Sequence, residues 1–213
     1  MIIAIDGPAA SGKGTLARRV AVHFGLRHLD TGALYRAVAR DTLAQGGDLT
    51  SASIAAIAAA RLDAATLRDP GLRTTGLGEA ASVVARHPEV RAVLIEYQRN
   101  FARADPGAVI DGRDIGTVIC PDADAKLFVT ATPEERAHRR FLELKERDSG
   151  IEEEAVLADI RSRDDRDRNR AVAPLLQAED AALLDTTNLA IDAAFRAAID
   201  LIEAAMGRAG RAG

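Results

Sequence analysis

Residues 2–24 decide the fold of this chain, and they read Ile2-Ile3-Ala4-Ile5-Asp6-Gly7-Pro8-Ala9-Ala10-Ser11-Gly12-Lys13-Gly14-Thr15-Leu16-Ala17-Arg18-Arg19-Val20-Ala21-Val22-His23-Phe24. The short apolar run at 2–6 ends in an acidic residue and predicts a buried strand. Apolar residues within 16–24 recur with helical spacing and predict an amphipathic helix. Between strand and helix lies a glycine-rich loop with one lysine, and this order is the pattern of a phosphate-binding loop.

The loop offers three kinds of group that bind a nucleoside triphosphate. Glycines let backbone N–H groups turn inward, the helix N-terminus adds the positive end of its dipole, and Lys13 adds a cation. These features predict that the triphosphate is bound by the whole loop, which consists of Gly7, Pro8, Ala9, Ala10, Ser11, Gly12, Lys13, Gly14 and Thr15.

Position 14 departs from the general pattern, which has Ser or Thr directly after the lysine. Gly14 stands there and Thr15 follows, a variant that resembles the loop of nucleoside monophosphate kinases more than that of GTPases. Magnesium would then be held mainly by phosphate oxygens and water, since Mg²⁺ gives up its water reluctantly. Asp111, at the end of a later predicted strand, is a candidate for the magnesium water shell, and a capping or turn role is equally open.

Further strands are predicted at 26–30, 108–111, 125–130 and 181–185, with helical segments such as 191–202 between them. Apolar residues at consecutive positions, in strands that alternate with helices, indicate a parallel sheet buried on both faces.

Two intervals interrupt the alternation of strands and helices. Residues 41–105 contain no convincing buried strand and predict an inserted flap; residues 132–170 are charge-dense and predict a second, mobile flap of two helices joined by a turn at Asp148, Ser149 and Gly150.

Composition excludes several classes of function. The chain has 213 residues, which suits one core with inserted flaps, and its 28 basic and 32 acidic residues give a net charge of −4. That balance argues against a global grip on nucleic acid or on an anionic membrane, so any anion must be held locally. One cysteine, Cys120, allows no internal disulfide. The chain has four histidines, and none of them has the spacing of zinc ligands: His23, His28, His87 and His138.

Polar residues cluster beside the predicted strand ends, at 30–36 and at 111–117. In open α/β sheets ligands bind at the carboxyl ends of the strands, so both segments should share a crevice with the phosphate loop. Arg36 and Arg113 would then be suited to grip phosphate, although a lone arginine is also an ordinary surface residue.

A third cluster, residues 161–170, could be a charged helix end, an RNA-binding patch or a catalytic arginine cluster. In a helix, Arg163, Arg166, Asp167 and Arg170 would share one face. The interleaved aspartates weaken attraction to a polyanion, whereas a local cluster can stabilise one transferring phosphoryl group. The pattern therefore favours catalysis.

With these segments in place, the chain resembles the bacterial cytidylate kinase family. The resemblance rests on the phosphate loop, residues 30–36, residues 111–117, the helix at 135–140 and residues 163–174. It implies an acceptor site for CMP or dCMP that comprises Ser82, Arg91 and Asp114 at the cytosine edge, Arg163 and Asp167 at the ribose, and Arg36, Arg113 and Arg170 at the phosphate. Thr31 also belongs to this site, where relatives often carry serine. The catalytic residues implied are Lys13, Arg113, Arg163 and Arg170.

The fold implied is an α/β P-loop NTPase-type three-layer core with a parallel five-stranded sheet, an insert that binds the nucleoside monophosphate (NMP) and a lid. Residues 1–40, 105–131 and 171–213 would form the core, 41–104 the insert, and 132–170 the lid with its arginine-rich helix. The family's insert usually contains a small antiparallel sheet, and the stretch between Leu62 and Ser82 is short for it. We expect that hairpin to be trimmed or missing.

The function implied is transfer of the γ-phosphoryl of ATP to CMP or dCMP, with Mg²⁺, to give ADP and CDP or dCDP. The alternative is another P-loop nucleoside monophosphate or small-metabolite kinase. We expect a cytoplasmic monomer whose partners are ATP and CMP or dCMP, with no nucleic acid and no membrane, because residues 1–6 lack a signal peptide pattern and no apolar run is long enough to span a bilayer.

Overall fold

The structure is a computed structural model that describes residues 1–146 and 150–209. Its strands form one parallel sheet in the order β2-β3-β1-β4-β5. They are β1 (Ile2–Asp6), β2 (Arg27–Asp30), β3 (Ala108–Gly112), β4 (Ala125–Thr130) and β5 (Ala182–Asp185). The predicted strands are confirmed, and each of their ends lies within one residue of the prediction.

Helices cover both faces of the sheet and build the inserts. They are α1 (Lys13–Phe24), α2 (Thr31–Ala44), α3 (Ala52–Ala60), α4 (Thr75–Val84), α5 (Pro88–Arg103), α6 (Pro133–Lys145), α7 (Glu153–Asn169) and α8 (Ile191–Ala209).

Successive residues of the central strand β1 point to opposite faces of the sheet and are buried on both. Ile3 and Ile5 pack in a cluster with residues of α1 and α8, whereas Ala4 packs in a second cluster with residues of α2, α3 and α5. All three side chains are inaccessible to solvent. The three-layer core expected from consecutive apolar positions is therefore present.

The segment between α2 and β3 is helical. Two short 3₁₀ turns, Ala64–Arg68 and Pro70–Arg73, lie between α3 and α4. Residues 62–82, all within the described part of the chain, contain no strand, so the hairpin that we expected to be trimmed or missing does not occur. Helix α2 starts at Thr31, because Asp30 caps it by accepting a hydrogen bond from the Ala33 amide at 3.1 Å, and continues to Ala44. The predicted start of the insert at residue 41 thus falls inside a continuous helix.

The predicted lid is built from α6 and α7, which pack against each other. A small apolar cluster of Ala137, Val156 and Ile160 joins them, and Ala10 of the phosphate loop packs against it. Asp148 and Ser149 of the predicted turn lie outside the described residues, while Gly150 lies in a turn. Among the helices of the described ranges, none is long and apolar enough to cross a membrane.

Candidate active site

The phosphate loop begins at the end of β1 and packs closely against β4. A Cβ at Gly7 would lie 2.0 Å from the Val129 carbonyl oxygen, so only glycine fits there. Gly12, the residue before α1, has φ of 82°, a left-handed conformation that glycine adopts without strain. The loop closes on itself because Nζ of Lys13 donates a hydrogen bond to the Pro8 carbonyl at 2.9 Å.

The Lys13 side chain lies in an environment that disfavours its charge. Burial, together with the neighbouring Arg113 guanidinium, lowers its pKa to about 7, although the carboxylate of Asp111 acts in the opposite direction. An anion placed in the loop would relieve this penalty, since an opposite charge favours the ammonium form. The local electrostatics therefore suit a phosphate.

Asp111 at the end of β3 stands next to the phosphate loop and is held by its neighbours. Its Oδ1 lies 2.7 Å from Nε2 of His28, and its backbone carbonyl accepts a hydrogen bond from the Thr31 hydroxyl at 2.8 Å. A Cβ at position 14 would lie 3.6 Å from Oδ2 of Asp111. The carboxylate thus faces Gly14, the position at which the general loop pattern has a hydroxyl.

Helix α2 contributes one wall of the site. Asp30, its cap, accepts a hydrogen bond from Nη2 of Arg36 at 2.8 Å. The Arg36 Nε is buried and has no hydrogen-bond partner among the described residues. Burial opposes the ionisation of Asp30, but Arg36, Lys13 and the Ala33 amide together outweigh it and lower the pKa of that carboxyl. Arg36 is therefore oriented toward the crevice with donor capacity to spare.

A second cluster surrounds Asp114, whose carboxylate bridges two arginines. Its Oδ2 accepts a hydrogen bond from Arg91, and its Oδ1 accepts one from Nη2 of Arg170 at 3.0 Å. Arg91 also donates to the Tyr35 hydroxyl at 3.2 Å. Arg91 is only 2% exposed and stands behind Asp114 rather than on the crevice wall.

The third cluster joins the end of β3 to α7. Nε of Arg113 donates to Oδ2 of Asp167 at 2.7 Å. Burial alone would raise the pKa of Asp167, but Arg113 lowers it below its ordinary value. Arg163 reaches across to α4 and donates to the Gly78 carbonyl at 3.0 Å. Burial lowers the pKa of Arg163, and Arg113 lowers it further, so this cluster too favours an added anion.

One geometric expectation for the arginine cluster is wrong. Helix α7 ends at Asn169, and Arg170 follows it with an extended backbone (φ −66°, ψ 137°). Its side chain is directed by a hydrogen bond from Nε to the Ala173 carbonyl rather than by helical spacing. Arg163 and Arg166 do share a face of α7, since both reach α4: Nη1 of Arg166 lies 3.7 Å from Oε1 of Glu79, in a partly exposed ion pair.

These clusters line one crevice of about 470 Å³, within the usual size range of small-molecule sites. The predicted residues on its wall are Ala9, Ala10, Ser11, Gly12, Lys13, Gly14, Thr15, Thr31, Arg36, Ser82, Asp111, Arg113, Asp114, Arg163, Asp167 and Arg170. The Ser82 hydroxyl donates to the Glu79 carbonyl at 2.8 Å, within its own helix. Of the predicted set, Gly7, Pro8 and Arg91 lie behind the wall.

Some residues of the site are not predicted from the sequence. Tyr35 and Arg139 line the crevice, and Arg139 donates to the Thr186 carbonyl at 2.7 Å, beside the phosphate loop. His28, for which the sequence predicts no role in the site, holds Asp111. Arg139 belongs to the segment at 135–140 that carries part of the family resemblance, a signal that could have pointed to it, whereas nothing in the local sequence marks His28.

A parallel sheet with a phosphate loop at the end of its central strand, facing an arginine-rich crevice, defines a P-loop phosphotransferase. The sequence model of the family described as "Cytidylate kinase" matches residues 3–204. The cytidylate kinase of Rhodopseudomonas palustris (strain TIE-1) is 61% identical over 211 residues, covering 99% of each chain. That of Bradyrhizobium sp. (strain ORS 278) is 59% identical over the same length and the same shares.

A crystal structure described as "uncharacterized protein from Eubacterium ventriosum ATCC 27560" has a similar fold, with a TM-score of 0.57 and 15% identity, covering 95% of this chain and 98% of that one. The sequence matches are the decisive ones. This chain belongs to the cytidylate kinase family.

Proposed function

We propose that this chain transfers the γ-phosphoryl group of ATP to CMP or dCMP, giving ADP and CDP or dCDP. Membership of the cytidylate kinase family makes it an ATP-dependent CMP kinase, and the family match favours this acceptor over another monophosphate or a small metabolite. The roles of individual residues below are part of the proposal.

The observation that carries the assignment of the acceptor base is the carboxylate of Asp114 in the crevice wall. It is held by Arg91 behind it and by Arg170 beside it, so its direction is fixed before a ligand enters. Cytosine has an exocyclic amino donor where uracil has an acceptor oxygen, and a carboxylate attracts the first and repels the second. Ser82, on the facing α4, is proposed to contribute to reading the base.

The phosphates would meet the cationic side chains. Lys13 and residues 7–15 are proposed to hold the donor triphosphate, while Arg36 and Arg113 hold the acceptor phosphate. Arg163 and Asp167 are proposed to hold the ribose. The buried Nε of Arg36 and that of Arg163 have no partner among the described residues, which leaves each able to donate to a ligand.

Chemistry at this site needs no general base. The acceptor phosphate is already an anionic nucleophile near neutral pH, so catalysis reduces to alignment and to neutralising charge. Arg113, Arg163 and Arg170 would act with Lys13 on the transferring group. Arg170 also pairs with Asp114, so the residue that reads the base is joined to one that serves the phosphates.

Magnesium would neutralise donor charge when bound, and the residues present fit it. Asp111 directs one oxygen toward Gly14 while His28 occupies the other. A single available carboxylate oxygen fits an ion held mainly by phosphate oxygens and water. We further propose that the protein is a cytoplasmic monomer that acts on free nucleotides, without nucleic acid or membrane.

A coupled assay of ADP release, run with CMP, dCMP, UMP, AMP and shikimate as acceptors, tests the proposal. The expected order places CMP or dCMP first. Equal turnover with all acceptors, or ADP release at the same rate with and without an acceptor, would contradict the proposal.

A further inference from the structure

Asp6, the last residue of β1, has a carboxylate that makes no contact required by the sheet. It is 5% exposed and points at a segment more than a hundred residues away in the chain. Its Oδ1 accepts a hydrogen bond from the Ile115 amide at 2.8 Å, and its Oδ2 accepts one from the Gly116 amide at 2.7 Å. Both oxygens are thus used on backbone groups of a single turn.

That turn follows directly on Asp114. Asp114 has φ of −144° and ψ of 28°, and the single helical turn Ile115–Ile119 begins immediately after it. The backbone after Asp114 is therefore held by Asp6, while its side chain is held by Arg91 and Arg170. The arginines hold the carboxylate from other elements, Arg91 from α5 and Arg170 from the segment after α7, whereas Asp6 holds the backbone that carries this side chain.

The same residue adjoins the donor site. Gly7, the next residue, opens the phosphate loop and is locked against β4. Lys13 and Asp114 both act electrostatically on Asp6. Asp6 thus connects the two parts of the site: it is covalently bonded to Gly7 of the phosphate loop, and it accepts hydrogen bonds from the turn that follows Asp114.

We propose that Asp6 is a positioning residue for base recognition, fixing the turn after Asp114 relative to the phosphate loop so that the Asp114 carboxylate meets the cytosine amino group. The inference rests on the proposed role of Asp114. Asp6 does not line the crevice, so it is a positioning residue and not a catalytic one.

A positioning role of this kind predicts a change of specificity. In Asp6→Asn one oxygen still accepts from an amide, but the new NH₂ group faces the second amide, donor against donor. The turn should shift to relieve this contact and carry Asp114 with it. We expect the preference for CMP over UMP, as a ratio of kcat/KM values, to fall by about tenfold.

The chain offers a control carboxylate that holds the other end of β1. Asp124 accepts a hydrogen bond from the Ile2 amide at 2.6 Å, at the opposite end of β1 from the crevice. Asp124→Asn makes the same chemical change to a carboxylate that holds backbone, and it should leave the preference for CMP unchanged. A difference in thermal stability alone would not distinguish the two variants, whereas the specificity ratio does.

A second variant changes the other partner of the same contact, Gly116. A Cβ at Gly116 would lie 3.4 Å from Oδ2 of Asp6 and 3.1 Å from Cδ of Lys126, closer than ordinary packing allows for the latter. Gly116→Ala should push the turn outward and lower the ratio in the same direction, and it decides the question if Asp6→Asn does not fold.

The experiment measures kcat/KM for CMP and for UMP with the full chain in wild-type form and in the three variants. Loss of preference in Asp6→Asn and Gly116→Ala, with Asp124→Asn at the wild-type ratio, supports the proposal. A wild-type ratio in both crevice variants, or an equal loss in Asp124→Asn, overturns it. If the wild-type protein itself does not prefer CMP, the proposed function fails instead, so the two failures are distinguishable.

Discussion

Arg170→Ala tests how the arginine cluster works. The guanidinium is nearly buried, with its side chain 5% exposed, and its Nη2 lies 3.0 Å from Oδ1 of Asp114. Removing it takes one cation from the proposed phosphate site and one partner from Asp114. Arg91 remains on the other oxygen of that carboxylate, so the buried charge is not left alone.

The two consequences have different sizes. Loss of one hydrogen bond to a carboxylate that keeps a second cation should cost about 1–3 kcal/mol of folding free energy, within the 5–15 kcal/mol that small proteins typically have. Loss of a fully engaged guanidinium in the transition state should cost roughly 3–4 kcal/mol, which lowers turnover about a hundredfold or more. The variant should therefore be folded and nearly inactive.

The assay is ADP release at saturating ATP and CMP, together with denaturant unfolding of the same samples. Arg161→Ala is the control, because Arg161 lies on the exposed side of α7, the helix that ends just before Arg170. Its Nη2 lies 2.8 Å from Oε1 of Glu134, and both side chains are more than half exposed. An exposed pair contributes about 0–1 kcal/mol, so this control should be active. A fully active Arg170→Ala, or equal damage in both variants, would refute the reasoning.

Three further predictions concern other parts of the site. Since the pKa of buried Lys13 is lowered to about 7, this side chain is mostly neutral in the free protein at about pH 8, and ATP binding should take up a proton at that pH but not at about pH 6. Calorimetry in buffers of different ionisation enthalpy measures the proton uptake, and equal uptake at the two pH values would contradict the prediction. Asp114→Asn, which offers a donor as well as an acceptor, should narrow the CMP over UMP preference, and an unchanged ratio would remove Asp114 from base recognition. Asp164→Asn breaks the buried ion pair in which Arg136 donates to both carboxylate oxygens, at 3.0 and 2.6 Å, so α6 and α7 should lose about 3–5 kcal/mol of local stability and exchange their amide hydrogens faster. Unchanged protection would show that this pair does not hold the predicted lid together.

Much of the fold could be predicted because its causes are local. Ile3 and Ile5 face one layer and Ala4 the other, and consecutive apolar residues record this two-sided burial directly in the sequence. Gly7 and Gly12 mark backbone positions that other residues cannot occupy without strain or collision. The phosphate loop was recognisable for the same reason.

What could not be predicted depends on partners far apart in the chain. Asp6 and Gly116 are 110 residues apart, and His28 and Asp111 are 83 apart. No periodicity links such residues, because their contact exists only once the strands have paired. Arg170 illustrates a second limit: α7 ends one residue before it, and helix ends depend on local capping that spacing does not record.

The charge density of residues 132–170 predicts a mobile flap. In the structure two aspartates of this stretch are buried against cationic partners: Asp164 pairs with Arg136, and Asp167 pairs with Arg113. Interleaved aspartates, which argued against binding a polyanion, serve as internal counter-ions. An incoming phosphate would compete with Asp167 for Arg113, so binding should rearrange these pairs.

Phosphorus NMR of the protein with ATP, CMP and Mg²⁺ tests the central claim most directly, because it identifies both products in one sample. The account predicts that CDP and ADP appear in equal amounts, with no inorganic phosphate, and that omitting CMP stops ATP consumption. Formation of ADP and inorganic phosphate without CDP would contradict it.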